Sequence, residues 1–133
     1  MIDPRNAVQD TIWDLLDAAG ITALVDPDDS DDLPYTVIGD ATFTVGPVTT
    51  KTTEGSEVVH QCVSWAEDPD TAQANASTGL AAITDRDVDQ SVTGFEVNGV
   101  YPDFGGPILK DDTRPNETYW GVPYRVRFIL TQL

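Results

Sequence analysis

The sequence predicts an α+β fold: a mostly antiparallel sheet of about five to six strands with two helices packed on it, as a single domain over residues 1–133. Three observations carry this prediction. Two stretches begin on Asp-Pro and then repeat apolar residues at helical spacing. The last strand alternates apolar and other residues without a break. And a chain of 133 residues is the size of one domain, able to bury roughly two-thirds of its unfolded surface.

The first helix opens at Asp3-Pro4, with Asp3 placed to cap and Pro4 at the first helical position. Val8, Ile12, Leu15, Leu16 and Ala19 form its apolar face, Asp10, Asp14 and Asp17 its solvated one, and Gly20 ends it. Ile21 to Val25 reads as a brief strand or an extended link. Asp26 to Asp32 is a loop by composition. Tyr35–Gly39 and Ala41–Val45 read as strands broken near Gly39-Asp40. Gly46 to Glu57, with Pro47, Gly55, Lys51 and four threonines, reads as a flexible assembly arm or a long hairpin tip. Val58–Trp65 is a strand.

Asp68-Pro69 then starts a second helix whose body, Thr71–Thr84, presents Ala72, Ala76, Gly79, Leu80 and Ile83 on one side. Small residues there allow a close approach to a sheet. Val92–Val97 and Val100–Phe104 read as a hairpin turning at Asn98-Gly99, and Gly105–Glu117 as a loop. In the final strand Trp120, Val122, Tyr124, Val126, Phe128 and Leu130 share one face, while Gly121, Pro123, Arg125, Arg127 and Ile129 share the other.

Charge excludes more than it assigns. With 23 acidic against 7 basic side chains the net charge is −16, which argues against holding nucleic acid by phosphate contacts. Asp outnumbers Glu by 18 to 5, and lysine occurs only at positions 51 and 110. Self-repulsion of that size weakens a compact state at low salt. At molar salt, with a Debye length of about 3 Å, it is largely screened. The composition therefore reads as adaptation to a saline cytoplasm, as in salt-loving archaea. No apolar run approaches the roughly 20 residues of a membrane helix, and the first residues do not read as a signal peptide.

Sites for chemistry are sparse. Asp26–Asp32 fails as a calcium loop of the EF-hand kind, because the sixth position from Asp26 is Asp31 instead of Gly and the twelfth is Val37 instead of Glu. His60 and Cys62 lie two apart on one strand face, but a single histidine and a single cysteine give no metal set, and no elbow or orienting motif surrounds Cys62. Phosphate loops are absent. The expectation is a protein that is not an enzyme and holds no cofactor or metal. Arg125 and Arg127, two of the five arginines on one strand face, read either as an intramolecular surface pair or as a subunit contact.

The order of these features resembles one family. A leading amphipathic helix precedes Pro34-Tyr-Thr-Val-Ile-Gly-Asp40; the strand Val58-Val-His-Gln-Cys-Val-Ser-Trp65 runs into an Ala-rich helix; Tyr124-Arg-Val-Arg-Phe128 closes the pattern. Together they are similar to the tail completion, or tail terminator, proteins of long-tailed viruses, over roughly residues 5 to 130. The acidity, the Asp26–Asp32 insert and the Thr-rich segment depart from that pattern. The resemblance implies a virion protein, made in the host cytoplasm, that assembles as a ring of six copies. Such a ring caps the tail tube, meets the connector or neck protein of the head, and lets DNA through its lumen without specific binding. With the composition, it implies a virus of a salt-loving archaeon. Two alternatives are another neck subunit, such as a head-closure or connector protein, and a small halophilic enzyme or ligand-binding domain.

On this reading the subunit-interface candidates are Arg125, Arg127, Ile129 and Tyr119, with Asp111 and Asp112 as partner carboxylates and Trp65, Tyr101 and Phe104 as further contacts. Thr49, Thr50, Lys51, Thr52 and Thr53 are the candidates for contact with the tail tube.

Overall fold

A computed structural model describes residues 2–28, 31–49, 54–103, 105–114 and 117–133, with the backbone alone at 46–49, 54 and 114. Helix α1 spans Arg5–Ala18 and helix α2 Pro69–Thr84; the strands are β1 (Ala23–Leu24), β2 (Tyr35–Thr49), β3 (Glu54–Ala66), β4 (Phe95–Asp103), β5 (Leu109–Arg114) and β6 (Glu117–Gln132). They form one sheet of order β1-β2-β3-β6-β4, with β5 also on β6. Among the described strands only the β1–β2 pair is parallel. The fold is α+β, as the sequence predicts.

Both helix starts are set by local chemistry. At α2 the Asp68 carboxylate accepts from the Thr71 backbone N–H at 2.8 Å, with Pro69 behind it. At α1 the cap position falls on Pro4 and carries no side-chain hydrogen bond; Asp3, one residue earlier, accepts from the Arg5 N–H and pairs with the Arg5 guanidinium at 2.6 Å. Asp3 therefore steadies the entry to α1 from outside the helix. Gly20, at φ +79°, ends α1, with Ile21 N–H donating to Leu16 O and Gly20 N–H to Asp17 O. That double bond to the last carbonyls needs a left-handed residue, which glycine adopts without a Cβ penalty. Ala19, read as apolar face, is exposed beyond the helix end.

The core lies between the helices and one face of the sheet. Val8, Ile12 and Leu16 of α1 and Ala76 and Ile83 of α2 meet Val58 and Cys62 of β3 and Val126, Phe128 and Leu130 of β6. At Gly79 α2 lies close against the sheet: a Cβ there would stand 2.6 Å from the Tyr124 hydroxyl.

Three elements differ from the sequence reading, each for a non-local reason. β2 is one strand through Gly39-Asp40, which form a bulge between Ile38 and Ala41. Asn98-Gly99 is also a bulge inside a continuous β4, with no turn. β6 pairs the strand on both sides of Asn98, whose amide donates to the Thr131 hydroxyl at 2.7 Å. The turn that enters β4 sits earlier, at Gly94 with φ +87°. The segment read as a loop, Gly105–Glu117, contains β5, drawn into the sheet by the free margin of β6 opposite Leu109–Asp111. Residues 46–49 and 54–57, read as a flexible arm or a long hairpin tip, are paired strand continued from β2 and β3, as a hairpin would have it.

Candidate functional site

Alternation along β6 divides its side chains between two environments. Tyr124, Val126, Phe128 and Leu130 are buried; Arg125 and Arg127 are exposed and Ile129 half-buried on the opposite face. The helices pack on the first face only, since their buried residues join the even-numbered core of β3 and β6. At one end the second face is partly covered: the Trp65 ring lies over Gly121, and Gly105 approaches the Pro123 carbonyl so closely that a Cβ there would collide with it. The remaining stretch is a bare strip centred on the two arginines.

The strip has neighbours within the chain. Arg127 lies over the Tyr101 ring at 5.7 Å, and Arg125 stands opposite Asp103 on β4 and Gln61 on β3. On β5, Lys110 lies over the Trp120 ring at 5.5 Å and 3.9 Å from Asp112. Tyr119 is half-buried and donates to Glu117 at 3.1 Å. Asp111 stands opposite Tyr119, six residues along β6 from Arg125, or about 20 Å at a strand's rise. Asp111 and Asp112 are thus on another part of the sheet from the arginines, so any pairing between them joins two copies. Thr49 ends β2 opposite Glu54. Thr50, Lys51, Thr52, Thr53 and Phe104, like Asp29 and Ser30 of the acidic loop, lie outside the described residues.

His60 occupies a second place of interest that the sequence reading noted only as a strand residue. It is 1% exposed and borders a cleft of about 500 Å³ between the start of α1 and the β2 bulge, with Asp3, Arg5, Gln9 and Asp40 around it. Burial holds its pKa below the usual value, against the opposing pull of the Arg5 and Gly39 backbone. Neither ring nitrogen has a hydrogen-bond partner, and the same holds for the buried hydroxyls of Thr36, Ser64 and Tyr124. Cys62 is fully buried and its thiol is pushed up to about 12 by burial, so it is a packing residue and a poor nucleophile. Among the described residues no group of three His, Cys, Asp or Glu side chains could hold a metal ion, and no helix is long and apolar enough to cross a membrane.

No protein-family model matches the chain, and no curated protein matches it in sequence. Among solved structures, a chain from the virion of a native gene transfer agent (GTA) particle shares its fold. The TM-score is 0.62 over 95% of this chain and 92% of that one, at 14% sequence identity.

Proposed function

We propose that this protein is a structural component of a virion, and within that class a tail terminator: a ring that caps the tail tube and joins it to the head. The observation that carries the reading is the shared fold with a chain of a GTA virion, which extends over nearly the whole of both chains. Its helix, strand and helix order is the one for which the sequence resembles tail terminators. The ring uses the bare strip of β6, where Arg125 and Arg127 meet carboxylates of the neighbouring copy; arginine is suited to this because its planar fork binds a carboxylate in two places. Six copies follow from the family resemblance. Thr49, at the end of β2, and Thr50, Lys51, Thr52 and Thr53, between β2 and β3 in the sequence, contact the tail tube, and the neck protein of the head binds the opposite side. With −16 charges per copy, a lumen lined by carboxylates repels DNA and lets it slide. The role is mechanical and needs no cofactor, and the acidity suits a virus of a salt-loving host.

Electron microscopy of the purified chain with tail tubes, in molar salt, tests this. The expected image is a ring of about six copies seated on one end of the tube. Rings that ignore tubes and bind the head's portal would favour another neck protein, and monomers that leave tubes uncapped would overturn the reading.

A further inference from the structure

Two surfaces of this chain face away from each other and are complementary. On the outer side of α1, opposite the buried Val8, Ile12 and Leu16, Asp10, Trp13, Asp14 and Asp17 form an exposed stripe. On the face of the sheet that the helices leave bare stand Arg125, Arg127 and Tyr101. Trp13 and Tyr101, 41% and 39% exposed, are the two exposed aromatic side chains among the described residues. One lies in each surface. The Trp13 indole N–H donates to the Ala23 carbonyl at 3.1 Å, so its ring is presented already ordered. Aromatic side chains and arginine are the ones that interfaces concentrate.

We infer that the α1 stripe of one copy docks on the arginine strip of the next, with Trp13 against Tyr101 and Ile129 and with Asp10 and Asp14 on the arginines. This rests on the ring reading and names the carboxylates that its arginines meet. The ion pairs among the described residues are Asp3–Arg5 and Lys110–Asp112, so Arg125 and Arg127 enter none. On β5, Asp111 accepts from the Thr113 hydroxyl and Asp112 pairs with Lys110. Asp10, Asp14 and Asp17 have no bonded partner among the described residues. The spacings agree as well. Asp10 and Asp14 are about 6 Å apart along a helix, and Arg125 and Arg127 about 7 Å along a strand. Glu57 opposite Ile129 and Asp103 opposite Arg125 bound the strip at its ends, which centres its positive charge on Arg127. The sheet and α1 itself lie between stripe and strip, so the two cannot meet within one copy. A contact between unlike patches of this kind closes into a ring when the rotation allows.

Charge reversal read by light scattering in molar salt tests the docking, with a thermal melt on each sample. Asp10→Arg/Asp14→Arg and Arg125→Asp/Arg127→Asp should each melt as folded protein and scatter as a monomer. Mixed in equal amounts, the two should recover the wild-type mass. The basic stripe of one then meets the acidic strip of the other, in alternating order round an even ring. Hydroxyl-radical footprinting of the wild type needs no variant and decides the matter if a reversed chain does not fold. Trp13 and Tyr101 should lose most of their reactivity in assembled compared with dilute protein. An α1-reversed chain that assembles as the wild type does overturns α1 as the docking element and leaves the ring intact, and so does an assembly in which Trp13 is oxidised as in the dilute sample. Two monomeric variants that stay apart on mixing overturn the pairing of stripe with strip. A wild type that is monomeric at every concentration overturns both the docking and the ring.

Discussion

The two faces of β6 make the same strand do two jobs. On one face Tyr124, Val126, Phe128 and Leu130 are buried beneath α1 and α2. On the other, one residue out of phase, Arg125 and Arg127 stand exposed over β3 and β4 neighbours. The first face is fixed by the chain's own folding, the second is left for whatever meets it. Substitutions on the first should therefore change stability and spare assembly only as long as the fold survives, whereas substitutions on the second should change assembly and leave the melt nearly untouched.

The largest effect should come from Phe128→Ala. Phe128 is fully buried at the centre of the core, and truncation should cost about 3–5 kcal/mol, read as a lower denaturant midpoint with an unchanged slope. Next is Gly79→Val. Its side chain would collide with the Tyr124 ring and with Leu16, 3.1 Å from the Cβ position, so α2 must lift from the sheet at about 1–3 kcal/mol in a chemical melt. Alanine there improves helix propensity by about 1 kcal/mol, so Gly79→Ala should be milder.

His60 should set the pH dependence on the covered face. Its folded pKa lies below its ordinary value because burial disfavours the imidazolium, so the unfolded chain takes up a proton first as pH falls. The sign is fixed: stability is full above about pH 6.5 and declines as pH drops from there towards the folded pKa. As the chain has one histidine, melts at pH 7.5 and 5.5 should show this decline, and His60→Gln should flatten it. Asp3 borders the same cleft, and its pairing with Arg5 holds its carboxyl below the ordinary value, so it stays ionised throughout that window. The smallest effect belongs to Asp68→Ala, which removes the α2 cap bonds to Thr71 and should cost about 1 kcal/mol.

The covered face was legible in the sequence because its cause is local periodicity. Val58, His60, Cys62 and Ser64 on β3, and the even residues of β6, fall on the side that strict alternation assigns them, and the Asp68-Pro69 start of α2 is where the cap rule puts it. What was not legible depends on partners far along the chain. Asn98-Gly99 has the chemistry of a tight turn, yet β6 supplies a ladder on both sides of it, so the pair bulges. Lys110-Asp-Asp-Thr113 has neither alternation nor β-propensity, and becomes strand because β6 offers it a margin. The candidate site divides in the same way. Alternation places Arg125 and Arg127 outside, but the distance of Asp111 and Asp112 from them depends on where β5 docks. What meets the strip is a property of another molecule.

The central claim is that the uncovered side of this sheet exists for assembly, and light scattering of the wild type beside Arg125→Gln/Arg127→Gln in molar salt tests it most directly. Losing an arginine paired to a carboxylate across an interface should cost about 2–5 kcal/mol at each contact, repeated around the ring. The prediction is a wild type with the mass of a closed ring and a double variant that melts like it but scatters as a monomer. A double variant that assembles as the wild type does, or a wild type that stays monomeric alone and on tail tubes, would contradict it.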